Sequence, residues 1–366
     1  MKRLLCILNT MNMGGAETFL MKIYRVLDRS RYQMDFCISM AEKCDYEDEI
    51  LSMGGKIFRI PSKSKDSKAF RQQLSAIVKD GGYTDVLRIT SNAAGFWDLK
   101  IAKQAGALHT AARSSNASDG GSQAQAAAHL LGRVLWTRYV DVKIAPSDKA
   151  ARYTFGKRAC RRGEVERINN GLDLSVYRFD EEGRQRVRSR LGISPSTVLV
   201  GHVGRFNTQK NHRFLVSAFA AFHREQPDSK LCLVGEGVLQ AEIEAAVGQE
   251  GLTDSVVFAG LQKDIPAWLS AFDVLALPSL YEGMPNVIIE AQACGCPCML
   301  SDTVTREADL CGKTVYLPIT DAAVWGRQIA QTAKQGRVTA DMRAYDIHRS
   351  AQAFCRCCYG EKGDSD

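Results

Sequence analysis

The chain has 366 residues, of which 45% are hydrophobic and 24% charged, enough for two domains of ordinary size and normal for a soluble globular protein. No apolar run reaches the ~20 residues that span a bilayer. Its twelve cysteines, several inside apolar strand-like runs (Cys6, Cys37, Cys232), are not a small disulfide framework and fit free buried thiols in a reducing cytoplasm.

The net charge of +7 is uneven: residues 1–170 hold 28 Lys+Arg against 17 Asp+Glu, and the remainder 20 against 24. The first half is therefore suited to an anionic partner, whether a phosphate-bearing substrate, a membrane surface or nucleic acid, unless it is simply a solvated basic face.

Met1-Lys2-Arg3 followed by Leu4–Leu8 opens like a secretion signal. The apolar stretch is short and Asn9 and Asn12 follow at once, so a buried first strand is expected. Further strands are expected at 33–39, 56–60, 84–90, 108–113 and 141–145, with helices such as Ala16–Leu27 and Lys68–Lys79 between them. The polar stretch 170–196, with turn signals at Gly171, Gly183, Gly192 and Pro195, interrupts the pattern. The pattern then restarts, with strands at 197–203, 230–234, 255–259, 273–277, 296–300 and 314–317 and helices at 211–225, 238–249, 264–271 and 286–294. This alternation predicts an α/β protein with two doubly wound, Rossmann-like parallel sheets. Ligands of such sheets bind beyond the carboxyl ends of strands, so the site is expected in a cleft between domains, on loops that follow strands.

Three loops carry candidate chemistry. After the first strand, Gly14 and Gly15 bring backbone amides to a ligand at a helix start, or simply make a tight turn. After strand 197–203, Gly204 permits close backbone approach, and Arg205 and Lys210 add two cations before a helix. Backbone donors, a helix start and two cations make a diphosphate site, each charge-assisted bond contributing about 1.5–3 kcal/mol. An ordinary charged surface loop is the alternative reading. Two cations can neutralise a departing nucleotide diphosphate without a metal ion, and the only Asp-x-Asp is Asp364-Ser-Asp366, at the chain end.

The third loop follows strand 273–277. Gly283 permits a sharp turn, Pro285 suits a helix start, and the amides of Gly283, Met284, Pro285 and Asn286, proline excepted, surround an anion-binding helix terminus. Glu290, in the second turn, could hold two vicinal ribose hydroxyls, while Glu282 stands on the loop itself. Helix capping and dipole stabilisation would account for the same two glutamates. A Gly-x4-Gly-Lys-Ser/Thr phosphate loop is missing, and Gly235-Glu236-Gly237 lacks a third glycine because Gln240 stands there, which argues against a nicotinamide enzyme. Neither Cys294/Cys296/Cys298 nor Cys355/Cys357/Cys358 has the usual two-residue ligand spacing, so no metal site is expected.

Taken together, Gly14-Gly-Ala-Glu17, Ala145-Pro-Ser147, Asn170-Gly-Leu-Asp173, Gly204-Arg-Phe206 with Lys210-Asn-His212, Val234-Gly-Glu-Gly237, and Glu282 with Glu290 resemble the retaining glycosyltransferases of family 4, which have the GT-B fold, and in particular bacterial transferases of exopolysaccharide and capsule synthesis. The motifs run in the family's order over about residues 3–345. The resemblance implies an N-terminal acceptor domain at 1–170, a nucleotide-sugar donor domain at 171–345, and a segment 346–366 that crosses back as a helix onto the first domain and ends in a disordered tail. It implies a donor often linked through UDP, no metal requirement and no cofactor. Glu290 would hold the ribose, Arg205 and Lys210 the diphosphate, and Glu282 with the amides after Gly283 would face the donor sugar. Gly204 and Gly235 belong to the donor site, Gly15 would approach the diphosphate or acceptor, and Gly14 and Asn116 stand on the acceptor side. Where the family often carries His-Ser-His-Asn, this chain has Arg113-Ser114-Ser115-Asn116. Arg113 is no base, but could stabilise the departing phosphate, which can itself deprotonate the acceptor in a front-face reaction.

Residues 131–167 hold ten Lys+Arg against four Asp+Glu, beside Leu130, Leu131, Val134, Leu135 and Trp136. That mixture suits a protein resting on anionic lipid at the cytoplasmic face of a membrane, where a lipid-linked acceptor would be presented, although 129–139 also reads as an amphipathic helix packed on the sheet. Two competing functions remain at this level: a non-catalytic scaffold with the same fold, motivated by the missing histidines, and a sugar-nucleotide epimerase. A nucleic-acid partner is not expected, because the charge has no recognised module to go with it.

Overall fold

The computed structural model describes residues 1–115, 123–282 and 284–360; Asn116, Gly283 and the tail from 361 lie outside them. Two compact units result, one formed by Met1–Leu172 with the chain from Ala344 onward, the other by Asp173–Arg343.

The first unit is built on β1 (Lys2–Ile7), β2 (Tyr32–Ile38), β3 (Ile57–Arg59), β4 (Asp85–Thr90), β5 (His109–Ser114), β6 (Val142–Ala145) and β7 (Val165–Arg167). They form a parallel sheet in the order β3-β2-β1-β4-β5-β6-β7. Successive β1 side chains go to opposite faces: Leu4 and Cys6 enter one apolar core and Leu5 and Ile7 the other. Helices therefore cover both sides, and β1 reads as a continuous apolar run. The three-residue β7 is the strand the sequence reading missed. It sits at the sheet edge and buries none of its residues fully, so it lacks an apolar signature.

The second unit has β8 (Val198–Val203), β9 (Ser229–Val234), β10 (Val256–Gly260), β11 (Val274–Leu277), β12 (Cys298–Ser301) and β13 (Val315–Leu317), in the order β10-β9-β8-β11-β12-β13. Here too the strands are parallel and the sheet is covered on both faces, Leu199 facing one core and Val200 the other. Both sheets reverse their strand order beside the first strand, between β1 and β4 and between β8 and β11. Loops leaving neighbouring strands diverge at such a reversal and open a crevice for a ligand.

The helix Ile347–Cys358 belongs to the first unit, where the Phe354 and Phe19 rings meet with centroids 6.1 Å apart. Leu172 N donates to Tyr345 O at 2.7 Å, and Tyr359 Oη donates to Gln33 O at 3.0 Å. All twelve cysteines are free thiols, and Cys294, Cys296 and Cys298 fill the second unit's core. No described helix is long and apolar enough to cross a membrane.

Candidate active site

In the second unit, the loops after β8 and β11 flank the strand-order reversal and are bridged by a few specific bonds. Lys210 Nζ lies 2.6 Å from Glu282 Oε1, and Ser279 Oγ donates to the same oxygen at 3.0 Å. The backbone locks this approach: Leu280 N donates to Gln209 O at 2.8 Å, and Gln209 Nε2 donates to Tyr281 O at 2.9 Å. On the Lys210 side, the Asn207 side chain accepts from Lys210 N, and Asn211 takes a left-handed conformation at φ 54°, which turns the chain into helix His212–Glu225. On the Glu282 side, the Ser279 carbonyl accepts from Ser301 Oγ at the end of β12 and from Thr303 Oγ1 just past it. Arg205 is exposed on the same loop as Lys210.

Helix Asn286–Ala293 starts beside this pair. Its N-cap is Pro285, with no side-chain cap hydrogen bond, and its first turn carries no acidic residue. Glu282 is thus engaged by Lys210 and Ser279 rather than by the helix end, and Glu290 stands past the first turn. Glu282 therefore does not cap this helix. Met284 packs on the core and Pro285 is buried, while Asn286 and Glu290 are half-exposed.

Gly235 and Gly204 belong to one layer of backbone. Gly204 N donates to Val234 O at 3.0 Å and Phe206 N to Glu236 O at 2.9 Å, so the loop after β9 runs alongside the loop after β8. Gly235 has φ +131°, and a Cβ there would strike the Gly204 carbonyl oxygen. Only glycine fits, which gives Gly235 a structural reason independent of any ligand.

Two histidines beneath the loop carried no assigned role in the sequence reading. His202 and His212 are both buried, their rings edge-on at 4.4 Å between centroids, with Phe206 against His212 at 4.5 Å. His202 Nδ1 bonds the Ala276 carbonyl at 2.8 Å, so that nitrogen carries the hydrogen. Burial pushes His212 down to about 4 and His202 well below 6.5, and the Lys210 charge pushes the same way. Both imidazoles are neutral props under a cationic loop. Ser279 was equally unassigned. The sequence signal for it is a hydroxyl three residues before the loop glutamate.

In the first unit, Gly14 is the N-cap of helix Gly15–Val26, with the Glu17 carboxylate folded back over it. At Gly15 a Cβ would meet nothing within 4 Å among the described residues, so the fold does not demand glycine there. Below this turn, Arg88 Nη1 donates to Ile7 O at 3.0 Å and its Nε lies 2.9 Å from buried Asp98.

Arg113, for which a catalytic role is expected, is held inside the first unit. Its side chain turns into the first unit, with the residue 2% exposed, its guanidinium carbon 3.6 Å from the Phe19 ring centroid and Nη2 donating to Asn170 Oδ1 at 2.6 Å. Desolvation lowers its pKa to about 9. The arginine ties the end of β5 to the first helix and presents no exposed face to a substrate. Asn116 and Gly283 are outside the described residues. Among those described, no three His, Cys, Asp or Glu side chains are grouped to hold a metal ion.

Paired doubly wound sheets of seven and six parallel strands define the GT-B class of glycosyltransferases. The structure superposes on Anabaena Alr3699/HepE, solved in complex with UDP-glucose, with TM-score 0.76 and 19% identity over 97% of this chain and 99% of that one. It also superposes on a sucrose-phosphate synthase from Thermosynechococcus elongatus, with TM-score 0.71, 18% identity and coverage of 97% and 98%. Residues 197–335, within the second unit, match the family described as Glycosyl transferases group 1. Over 342 residues the chain is 35% identical to the "Putative glycosyltransferase EpsF" of Bacillus subtilis (strain 168), covering 92% of this chain and 89% of that protein. The chain belongs to the group 1 glycosyltransferases. A shorter stretch of 142 residues, 38% of this chain and 37% of the relative, is 32% identical to the UDP-Gal:alpha-D-GlcNAc-diphosphoundecaprenol alpha-1,3-galactosyltransferase of Escherichia coli.

Proposed function

We propose that this glycosyltransferase is a retaining, metal-independent enzyme of family 4 that moves a hexose-type sugar from a nucleotide sugar, UDP-linked, to a lipid-linked or glycan acceptor in cell-surface polysaccharide synthesis. The observation that carries the reading is the Lys210–Glu282 pair at the strand-order reversal, beside a helix whose N-terminus has no side-chain cap and whose second turn carries Glu290. The carboxylate of Glu290 accepts from two vicinal ribose hydroxyls. Lys210 and Arg205 neutralise the diphosphate as the bond from the sugar C1 to its phosphate oxygen breaks. The acceptor oxygen bonds C1 on the same face, and its proton passes to the departing phosphate. Glu282 holds Lys210 in place and faces the donor sugar. Gly15, where no neighbour demands glycine, is a point of close approach for a phosphate-bearing substrate.

The nucleotide reading is supported by Anabaena Alr3699/HepE, which was solved with UDP and with UDP-glucose. The lipid-linked acceptor is supported by the Escherichia coli relative and by a Campylobacter jejuni relative whose name also specifies a diphospho-undecaprenol acceptor. A thermal-shift screen of sugar nucleotides, followed by transfer to polyprenyl-diphosphate-linked sugars, tests the proposal. Stabilisation by UDP-sugars and an anomerically retained product are expected. Product from donor alone would indicate an epimerase, and binding without turnover a scaffold.

A further inference from the structure

We infer that His202 is a positioning residue for the donor: the bond it makes across the strand-order reversal of the second unit sets the spacing between the loop that carries Lys210 and the loop that carries Glu282. The inference deepens the donor reading and rests on it.

Strands β8 and β11 are ladder partners at Val200 with Val274 and at Gly201 with Leu275. One residue further along each strand, a side chain takes over: His202 Nδ1 donates to Ala276 O at 2.8 Å. The strands are thereby tied where their ladder stops and the crevice between their loops opens. Lys210 and Glu282, 2.6 Å apart, stand on the loops that follow.

The same ring also reaches the Lys210 side chain. A Cβ on Gly204 would lie 3.1 Å from His202 Nε2 and 3.1 Å from Lys210 Cε, so ring and lysine stem share one face of that glycine. A shift of the ring is therefore passed to Lys210. His212 stands edge-on to the ring with centroids 4.4 Å apart, and Phe206 closes on His212 at 4.5 Å, which leaves the imidazole little room to turn.

Chemistry explains why position 202 is a histidine. His202 and His212 are 0% and 2% exposed, and His202 Nε2 and both His212 ring nitrogens have no hydrogen-bond partner among the described residues. Buried unpaired nitrogens cost free energy that a phenylalanine in the same space would not. What phenylalanine lacks is the Nδ1–H donor. Burial, reinforced by His212 and Lys210, holds the His202 pKa well below 6.5, so the ring is neutral with its hydrogen on Nδ1. A neutral donor ties the two strands without adding a charge beneath the diphosphate.

The test separates this bond from packing. His202→Phe fills the space but cannot donate. His202→Asn is smaller, yet its amide can donate from close to where Nδ1 stood. Both variants, their fold checked by circular dichroism, are titrated calorimetrically with UDP and with inorganic diphosphate. H202F should bind both ligands roughly tenfold more weakly, and H202N should recover most of that loss. Packing alone predicts the reverse order. H202F that binds like the parent, or folded H202N that recovers nothing, would overturn the inference. The parent protein, isotopically labelled at its histidine nitrogens, gives a magnetic-resonance reading that depends on no variant folding. Saturating UDP should shift the His202 ring signals, and unmoved signals would likewise overturn the inference. A parent that binds neither ligand would instead sink the donor reading, and this inference with it.

Discussion

Lys210 Nζ and Glu282 Oε1 face each other at 2.6 Å, bridging loops that leave the adjacent strands β8 and β11. Their side chains are only 16% and 9% exposed, so the pair is largely shielded from water. Removing one partner leaves the other charge poorly solvated, which costs more than losing a surface ion pair. The pair also means that the cation proposed for the diphosphate is held in position before any donor arrives.

Lys210→Ala should therefore lower both the intrinsic Tm and the affinity for UDP. One lost charge-assisted bond corresponds to weakening by roughly one to two orders of magnitude. Calorimetric titration of UDP into the folded variant checks this, and unchanged affinity would remove Lys210 from the donor site. Glu282→Gln can keep the Ser279 and Lys210 contacts, so it should bind UDP and lose turnover.

Glu290→Ala separates sugar from phosphate recognition. UDP binding should weaken about tenfold or more as the ribose contacts go, whereas inorganic diphosphate should bind as before. Equal loss for both ligands would refute the ribose assignment.

Acid should loosen the second unit through its buried histidines. His212 is lowered from 6.5 to about 4, so the unfolded chain takes up its proton first. The contribution is fully present above pH ~6.5 and is lost as pH falls towards 4, amounting to about 3 kcal/mol for His212. Chemical denaturation at stepped pH measures this slope. His212→Phe, which keeps the ring against Phe206, should flatten it in that window.

Gly235→Ala should destabilise by about 1–3 kcal/mol from backbone strain alone, with the Gly204 overlap added. Because that overlap displaces the loop carrying Arg205, nucleotide affinity should fall as well. Alanine tolerated with both quantities intact would contradict the close packing of these loops.

Arg113→Met tests the structural role of this arginine. It leaves Asn170 Oδ1 without its 2.6 Å donor and removes the contact with Phe19, and a loss of about 1–3 kcal/mol is expected. The UDP-induced shift should persist. A variant with full stability and no turnover would return Arg113 to the chemistry.

Much of this protein was legible from local pattern. Apolar runs such as Leu4–Leu8 and Val274–Leu277 specify strands buried on both faces, and their alternation with amphipathic helices specifies two doubly wound sheets, because few other architectures bury such runs. The glycine, cation and glutamate loops were legible because each follows a strand, and strand ends are where such sheets expose backbone. Tertiary structure alone decided the pairings. Sequence spacing could not separate a capping Glu282 from a paired one; that required the approach of Lys210, 72 positions away. Nor could it turn Arg113 inward, since the Phe19 ring and Asn170 that receive it come from distant parts of the chain. The side chains of His202 and His212 are buried and neutral only because β8, Phe206 and the Ala276 carbonyl close around them. Residue identity determines what a side chain can do, whereas its partners and its access to water, which set its charge and reach, exist only after the chain has folded.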